Sequence, residues 1–283
     1  MRTYSWSIAG KMKRMIPAGK PAFFTPFVPK YVRSYLRRSF HTVHLLGEPP
    51  QFEDDGRTPL LVCLNHSSWW DVLMAFYIEK EFFGWDLYGV MDERQLQRYR
   101  LFTNLGMIGV DRTSLAGARE FLDYTETLLR GQRRALWLTP QGAMLSNRER
   151  PIVFQPGLAH LAQRLGNFHI ARVALHYEFW DDKQPEAFVS ISPVEHVTIG
   201  ADFRRREFLH TQERRLETEL ETLLTAVRKR DPSQFASLLH GASGVSPTYD
   251  ILRALAARLR GRRFSSEHSA IITPEWKRRR GRK

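Results

Sequence analysis

His66 and Asp71, a histidine and an aspartate five positions apart, are the residues of this sequence whose types and spacing best suit chemistry. They follow the apolar run 60–64, which is typical of a buried strand, so the histidine is expected at a strand end, where α/β proteins place their sites. A carboxylate that accepts a hydrogen bond from one imidazole nitrogen leaves the other nitrogen to take a proton. Positions five apart on a regular helix point about 140° apart, so the pair requires an irregular turn. Ser67 or Ser68 as the N-cap, with Asp71 in the first helical turn, would provide one.

Other catalytic patterns are missing. A serine hydrolase would need Gly-x-Ser-x-Gly after a strand, and residues 241–244 lack the second spacing. His41 and His44 have no partnering ligands and no His-Glu-x-x-His pattern occurs, so no metal site is predicted. No phosphate-binding loop is present either. His160 and His176, with no motif around them, are predicted to be structural.

Charge is concentrated at one end of the 283-residue chain. The net charge is +13, and residues 251–283 hold eleven Lys or Arg against two Glu, or nine of the thirteen net charges. Such a run is drawn to polyanions, which include nucleic acid, an anionic membrane and an acidic carrier protein. A nucleic-acid-binding protein would also need a reading module, and we recognise none, so no nucleic-acid partner is predicted. The single cysteine, Cys63, cannot form an internal disulfide.

Membrane contact is expected to be peripheral. No segment reaches the roughly 18 apolar residues of a spanning helix, and neither a signal peptide nor a transmembrane helix is recognised. Residues 27–46 interleave aromatic with basic side chains, which indicates either a helix in the membrane interface or a surface helix whose aromatic stripe packs on the core. We therefore predict a cytoplasmic protein at the inner face of the membrane.

The rhythm of the middle of the chain predicts an α/β fold with helices packed on a mixed central sheet. Strands are predicted at 60–64, 87–90, 135–138, 170–175 and 188–191, and helices at 72–82, 115–130 and 158–165. A charged helix is predicted over 207–230, followed by more helix. The predicted units are a basic lead-in and interfacial helix (1–46), a catalytic domain (47–205) and a basic helical C-terminal extension (206–283).

Four segments, in order, resemble the motifs of the glycerolipid acyltransferase superfamily, the PlsC-like lysophosphatidic acid acyltransferases. The first is residues 65–71, a histidine and an aspartate separated by four residues. The second, 106–112, ends in Asp-Arg, and the third, 139–144, is a divergent form of Phe-Pro-Glu-Gly-Thr-Arg. The fourth, 151–157, leads from Pro through Phe and Gly into a helix. The resemblance spans about residues 40–195.

The resemblance implies acyl transfer without a covalent acyl-enzyme. His66 would be the general base on an acceptor hydroxyl and Asp71 its partner, while Arg112 would lie near the acceptor head group. The donor would be acyl-CoA or acyl carrier protein, and no cofactor is implied. Backbone amides around Gly142 or the turn at Ser67 would stabilise the oxyanion. The predicted substrate-binding residues are Asn65, Trp69, Trp70, Arg112, Gln141 and Gly142, with the tryptophans along the acyl chain.

Two departures concern the acceptor. Gln141 stands where the third motif has glutamate, and Met144 where it has arginine. In the family that arginine is associated with the acceptor's phosphate, so its loss indicates an acceptor other than plain lysophosphatidate, unless Arg148 or Arg150 substitutes. The same departures leave open a second hypothesis, a non-catalytic homologue that binds lipid or membrane.

Overall fold

The computed structural model describes residues 15–21, 23, 25–180 and 182–241. Ten strands of these ranges form one sheet. In chain order β1–β10 they are Met15–Ile16, Thr42–Leu46, Leu60–Leu64, Asp86–Asp92, Met107–Val110, Arg134–Leu138, Asn167–Glu178, Glu186–Ile191, Glu195–Thr198 and Phe235–His240.

Seven α-helices lie between the strands of the described ranges. In chain order α1–α7 they are Val28–Ser39, Asp71–Ile78, Glu93–Arg98, Leu101–Asn104, Leu115–Leu129, Gly157–Leu165 and Arg205–Lys229. A π-helical turn, Glu79–Phe83, extends α2 and ends at Gly84, whose φ is +67°. Glycine adopts this left-handed conformation without steric cost, so the helix ends there.

The sheet is mixed, as predicted. Its order is β1-β5-β4-β6-β3-β7-β8-β2-β10, with β9 paired to β7 beside β8. The central run β5-β4-β6-β3-β7 is parallel, and β7 pairs antiparallel with both β8 and β9. Because the five central strands are parallel, their carboxyl ends share one edge, and the loops that follow them meet there.

The core lies in two layers, one on each face of the sheet. Along β3, Leu60, Val62 and Leu64 belong to one buried cluster, while Leu61 and Cys63 belong to the other. This alternation is the period of two of a strand that is buried on both faces. The first layer contains α1 and α2, and the second contains α5, α6 and α7. The α/β class predicted from the sequence is therefore confirmed.

Three local predictions differ from the structure. The helix expected over 27–46 ends at Ser39, and Thr42–Leu46 forms β2, because four of its five residues are buried between β8 and β10. Residues 235–240, in a segment predicted as helix, form β10 at the sheet edge. The charged helix α7 is not an appendage either, since Leu216, Leu220 and Leu223 are buried in the second layer.

The basic run 251–283 lies outside the described residues. Within the described ranges, no helix is both long and apolar enough to cross a bilayer.

Candidate active site

The loop that carries His66 begins at the end of the central strand β3, at the common carboxyl edge, and ends at Asp71, where α2 begins. His66 Nδ1 lies 2.7 Å from Asp71 Oδ2. The side chain of Asp71 is 1% exposed and that of His66 is 22% exposed. Because the carboxylate faces Nδ1, that nitrogen carries the proton and Nε2 is left with a lone pair. The pair thus has a buried anchor and a partly open base.

Asp71 receives four hydrogen bonds. Besides His66, the backbone amides of Ser67 and Ser68 donate to Oδ2 at 2.9 and 3.0 Å, and the hydroxyl of Tyr177 donates to Oδ1 at 2.8 Å. The four donors fix the position of the buried carboxylate. It can therefore hold the imidazole in one orientation and stabilise the imidazolium that forms when His66 takes a proton.

The turn between the pair is irregular, as predicted, but a different group caps it. Neither Ser67 nor Ser68 is the N-cap; that position belongs to Trp70, which makes no side-chain capping hydrogen bond. Instead the carboxylate of Asp71, the first residue of α2, reaches back to the two serine amides. The same carboxylate thus shapes the turn and holds the imidazole, which explains how residues five apart meet.

A second loop, residues 139–156, follows β6 and lies alongside the first. The amide of Leu145 donates to the carbonyl of His66 at 2.7 Å, and the amide of His66 donates to Oε1 of Gln141 at 3.3 Å. Gln141 is therefore beside the histidine, where its side chain accepts the backbone hydrogen bond that a glutamate could equally accept. The third motif is brought to the first by these two contacts.

Arg112, after β5, reaches the same loop, and its guanidinium donates to the carbonyl of Gly142. Gly142 has a φ of +75°, and a Cβ there would lie 2.6 Å from Arg112 Nη2. Glycine is thus favoured by the backbone conformation, and any other residue would also displace the guanidinium from its present position. The structure brings Arg112 and Gly142 together, with the arginine side chain exposed at the carboxyl edge.

The two amides expected to stabilise an oxyanion are already engaged. The amide of Gly142 donates to the carbonyl of Thr139 at 2.9 Å, and that of Ser67 donates to Asp71. Either amide would have to exchange its present partner before it could bind a substrate oxygen.

Asn65 is buried behind the histidine loop. Its Oδ1 accepts the amide of Leu175 at 2.7 Å, and its Nδ2 donates to the carbonyl of Leu175 at 2.9 Å and to Asn147 at 2.7 Å. The Asn65 amide therefore fixes both loops to β7.

The two tryptophans occupy different positions. Trp69 is 55% exposed, whereas Trp70 is partly buried against Tyr35 and Phe40, with ring centroids 5.6 and 4.9 Å away. Their own rings meet edge to face at 5.4 Å. Trp70 thus joins α1 to the histidine loop, and Trp69 faces solvent.

Helix α7 holds the fourth motif in place through a row of glutamates. Glu213 accepts the amide of Phe154 at 2.8 Å, and Glu217 accepts that of Ile152 at 2.9 Å. One turn further along, Glu221 pairs with the guanidinium of Arg150. The spacing of four places all three carboxylates on one helix face. Sequence reasoning missed this role, because the spacing of the glutamates indicates a shared helix face but not what that face binds.

The two arginines that could replace the missing arginine of the third motif have different surroundings. Arg150 is committed to α7 and to the carbonyls of its own loop. Arg148 is exposed. Burial lowers the pKa of His176 against the opposing effect of Glu178, and the charge of Arg148 makes a smaller contribution to the lowering. Met144 is 53% exposed, so the position of the lost arginine faces solvent.

Within the residues the structure describes, no three His, Cys, Asp or Glu side chains converge in a way that could hold a metal ion. The chemistry available at the carboxyl edge is proton transfer by an imidazole next to a guanidinium.

Comparison with known proteins agrees with the motifs. The family model described as Acyltransferase matches residues 40–176. None of the curated proteins compared matches the chain. Among solved structures, the chain is similar to the 1-acyl-sn-glycerophosphate (LPA) acyltransferase PlsC from Thermotoga maritima, with 14% identity and a TM-score of 0.46 over 70% of this chain and 78% of that one. Residues 40–176, which contain the histidine loop, Arg112 and the loop from β6, therefore match the acyltransferase superfamily that the four motifs resemble.

Proposed function

We propose that this acyltransferase moves a fatty acyl group from an acyl thioester, acyl-CoA or acyl carrier protein, to a hydroxyl of a lipid-like acceptor. The observation that carries the proposal is the His66–Asp71 pair. The imidazole is partly exposed, and its Nδ1 lies 2.7 Å from Oδ2 of the buried carboxylate. A base with this support can remove a proton from an alcohol at the moment the oxygen attacks a carbonyl.

The proton transfers of the reaction need only His66 and Asp71 from the enzyme. His66 Nε2 takes the proton of the acceptor hydroxyl while the oxygen bonds to the thioester carbon. The tetrahedral intermediate then collapses, the carbon–sulfur bond breaks, and the imidazolium returns the proton to the departing thiolate. Asp71 stabilises the positive charge on the imidazolium throughout. No bond to the enzyme is formed.

Arg112 and Gln141 are proposed to bind the reacting groups. Arg112 is fixed by the carbonyl of Gly142 and exposed beside the histidine loop, so its remaining N–H groups can meet a polar or anionic head group. Gln141 turns its oxygen to the amide of His66, which leaves its nitrogen as a donor. A glutamate in the same place would have no such donor.

The acceptor is proposed to differ from plain lysophosphatidate. The position of the third-motif arginine holds Met144, and Arg150 is bound to Glu221. Loss of one charge-assisted contact weakens phosphate binding by roughly 1.5–3 kcal/mol. An uncharged or glycosylated lipid alcohol requires no such contact.

The surface formed by α1 and Trp69 is proposed to face an anionic membrane. Along α1 and just before it, Phe23, Phe27 and Tyr31 are exposed, and Trp69 adds a fourth exposed ring. The same helix carries exposed Lys30, Arg33, Arg37 and Arg38, whereas its Val28, Val32 and Leu36 are buried. Exposed rings next to cations are typical of a surface that inserts at a lipid interface. We therefore assign α1 to the membrane side of the molecule, on the inner face.

Liposome sedimentation tests this surface. Phe27→Ser with Tyr31→Ser should reduce binding to anionic vesicles, and so should removal of residues 277–283, while turnover on a detergent-dispersed acceptor is retained. Leu115→Ser, at another exposed apolar side chain, is the control and should bind as the wild type does. An equal loss of turnover in detergent would show that the changes do not act through the membrane.

The acyl transfer itself is tested by thiol release from acyl-CoA and from acyl carrier protein. The acceptor panel should contain lysophosphatidate, an uncharged lipid alcohol and a glycosylated one. We expect acceptor-dependent release that is greatest with an acceptor lacking a phosphate, with the ester identified by mass spectrometry. Release that is greatest with lysophosphatidate would refute the acceptor assignment.

A second candidate function rests on Gln141 and Met144, the two departures in the third motif. A homologue that binds lipid or membrane without catalysis would bind vesicles and acceptor but release no thiol with either donor.

A further inference from the structure

Tyr177 reaches the catalytic pair from β7. This strand pairs with β3 as far as Val173, opposite Leu64, and then continues past the end of β3 to Glu178. Its extra length runs beside the histidine loop. Residues 175 and 177 lie on one face of β7, where the backbone of Leu175 binds Asn65 and the hydroxyl of Tyr177 lies 2.8 Å from Asp71 Oδ1.

The two oxygens of Asp71 are bonded differently. Oδ2 accepts from His66 and from two backbone amides, whereas the donor to Oδ1 is the hydroxyl of Tyr177. Burial raises the pKa of Tyr177 well above its usual value, and the neighbouring negative charge of Asp71 raises it further. The phenol therefore stays protonated over the whole range in which a histidine titrates, and it acts only as a donor to the carboxylate.

We propose that Tyr177 is a positioning residue that sets the basicity of His66 through the carboxylate of Asp71. A donor on Oδ1 draws negative charge from the carboxylate, so that Asp71 stabilises the imidazolium less than an unbonded carboxylate would. His66 is thereby kept neutral, and able to accept a proton, at lower pH. The proposal rests on the function proposed above and adds to it a residue that lies one position beyond the segment matched by the family model.

No other titratable side chain in the described structure hydrogen-bonds to Asp71 besides His66 and Tyr177. On the side of α1, the ring of Phe40, just after the helix, packs against Tyr177 and Trp70, and Tyr35 packs against Trp70. From the loop after β6 it meets the neutral side chain of Gln141. Across β7, the neighbouring His176 points to the opposite face, where its ring contacts Asn147 and Glu178.

Tyr177→Phe removes the hydroxyl and keeps the ring, whose centroid lies 5.7 Å from that of Phe40. We expect the pKa of His66 to rise by on the order of half a unit to one unit, because the carboxylate has lost a donor. The acidic limb of the profile of kcat/KM against pH should move upward by the same amount. The matched control is Tyr77→Phe, whose buried hydroxyl donates to the carbonyl of Leu238 at 2.9 Å, away from the pair. It should leave the profile unchanged.

The titration of His66 is measured directly by NMR of the imidazole signals, assigned by their loss in His66→Ala. This readout does not need activity, so a failed proposal for Tyr177 is distinguished from a failed assignment of function. 3-Fluorotyrosine at position 177 provides a second probe, since its more acidic phenol is a stronger donor and should lower the pKa of His66. An unchanged pKa of His66 in both variants, or a loss of activity that is equal at every pH, would overturn the proposal.

Discussion

Replacing Asp71 with asparagine removes the charge of the carboxylate and keeps its size. An asparagine can turn its single oxygen toward the three donors now on Oδ2, which are His66 Nδ1 and the amides of Ser67 and Ser68. Its nitrogen then faces Tyr177, whose hydroxyl must rotate to accept instead of donate. The histidine loop can thus keep its shape while the imidazolium loses its counter-charge.

The hydrogen bonds of Asp71 set the expected size of the loss in stability and of the loss in rate. A hydrogen bond to a charged group contributes about 1.5–3 kcal/mol, and one between neutral groups about 0.5–1.5 kcal/mol. Three bonds that each lose about 1 kcal/mol lower the free energy of unfolding by about 3 kcal/mol in total. The rate should fall much further, on the order of 10³-fold or more, because a neutral partner does not stabilise the positive charge of the imidazolium.

Both quantities are measured on the same preparation, by urea unfolding and by acceptor-dependent thiol release. Asp92→Asn is the matched control, because Asp92 also lies at the carboxyl end of a parallel strand and accepts two backbone amides, from Arg94 and Gln95. Within the described residues it makes no hydrogen bond to a histidine. Because asparagine caps a helix about as well as aspartate does, this variant should keep both the stability and the rate close to those of the wild type. An Asp71→Asn rate within tenfold of the wild type would refute the assignment of Asp71.

Two further predictions concern groups outside the reacting pair. Burial raises the pKa of Glu79 to about 7, although hydrogen bonds from Trp137 and Trp85 oppose the shift. The folded state therefore holds its proton more tightly than the unfolded state, so Glu79 contributes stability below pH 4.5 that is lost as the pH rises to 7. We expect about 3 kcal/mol less stability at pH 8 than at pH 4 from this group. Urea unfolding should show this loss in the wild type and not in Glu79→Gln, and identical slopes in the two proteins would contradict it. Glu213→Ala leaves the buried amide of Phe154 without its acceptor and should lower stability by about 1–3 kcal/mol, with Glu207→Ala, exposed at the start of α7, as the control. Equal unfolding midpoints for these two variants would show that the carboxylate of Glu213 does not hold the fourth motif.

Much of the fold could be read from local patterns. The strand 60–64 is recovered with both ends correct, because a short apolar run between turn residues has few other solutions in an α/β protein. The strand 42–46 was missed because its position is decided by β8 and β10, which are distant in sequence. Residues 235–240 were missed for the same reason, since their pattern is weak and their partner β2 lies almost 200 residues earlier.

In the candidate site, too, local patterns predict some residues, while others depend on contacts that are distant in sequence. The histidine and the aspartate are close in sequence, and their meeting could be predicted from the spacing and an irregular turn. Tyr177 and the glutamates of α7 could not, because each acts through one hydrogen bond made across more than fifty residues. Such contacts leave no periodicity in the sequence. These hydrogen bonds depend on the register of β7 and on the position in which α7 packs against the sheet.

The most direct test of the central claim compares His66→Ala with His176→Ala. Both histidines are partly buried near the carboxyl edge, and both face a carboxylate, but only His66 is held by the buried Asp71. Thiol release from the preferred acyl thioester is followed with and without acceptor, after each variant has been shown to unfold cooperatively. We expect acceptor-dependent release to disappear in His66→Ala and to persist in His176→Ala. Release by His66→Ala at the wild-type rate would contradict the central claim.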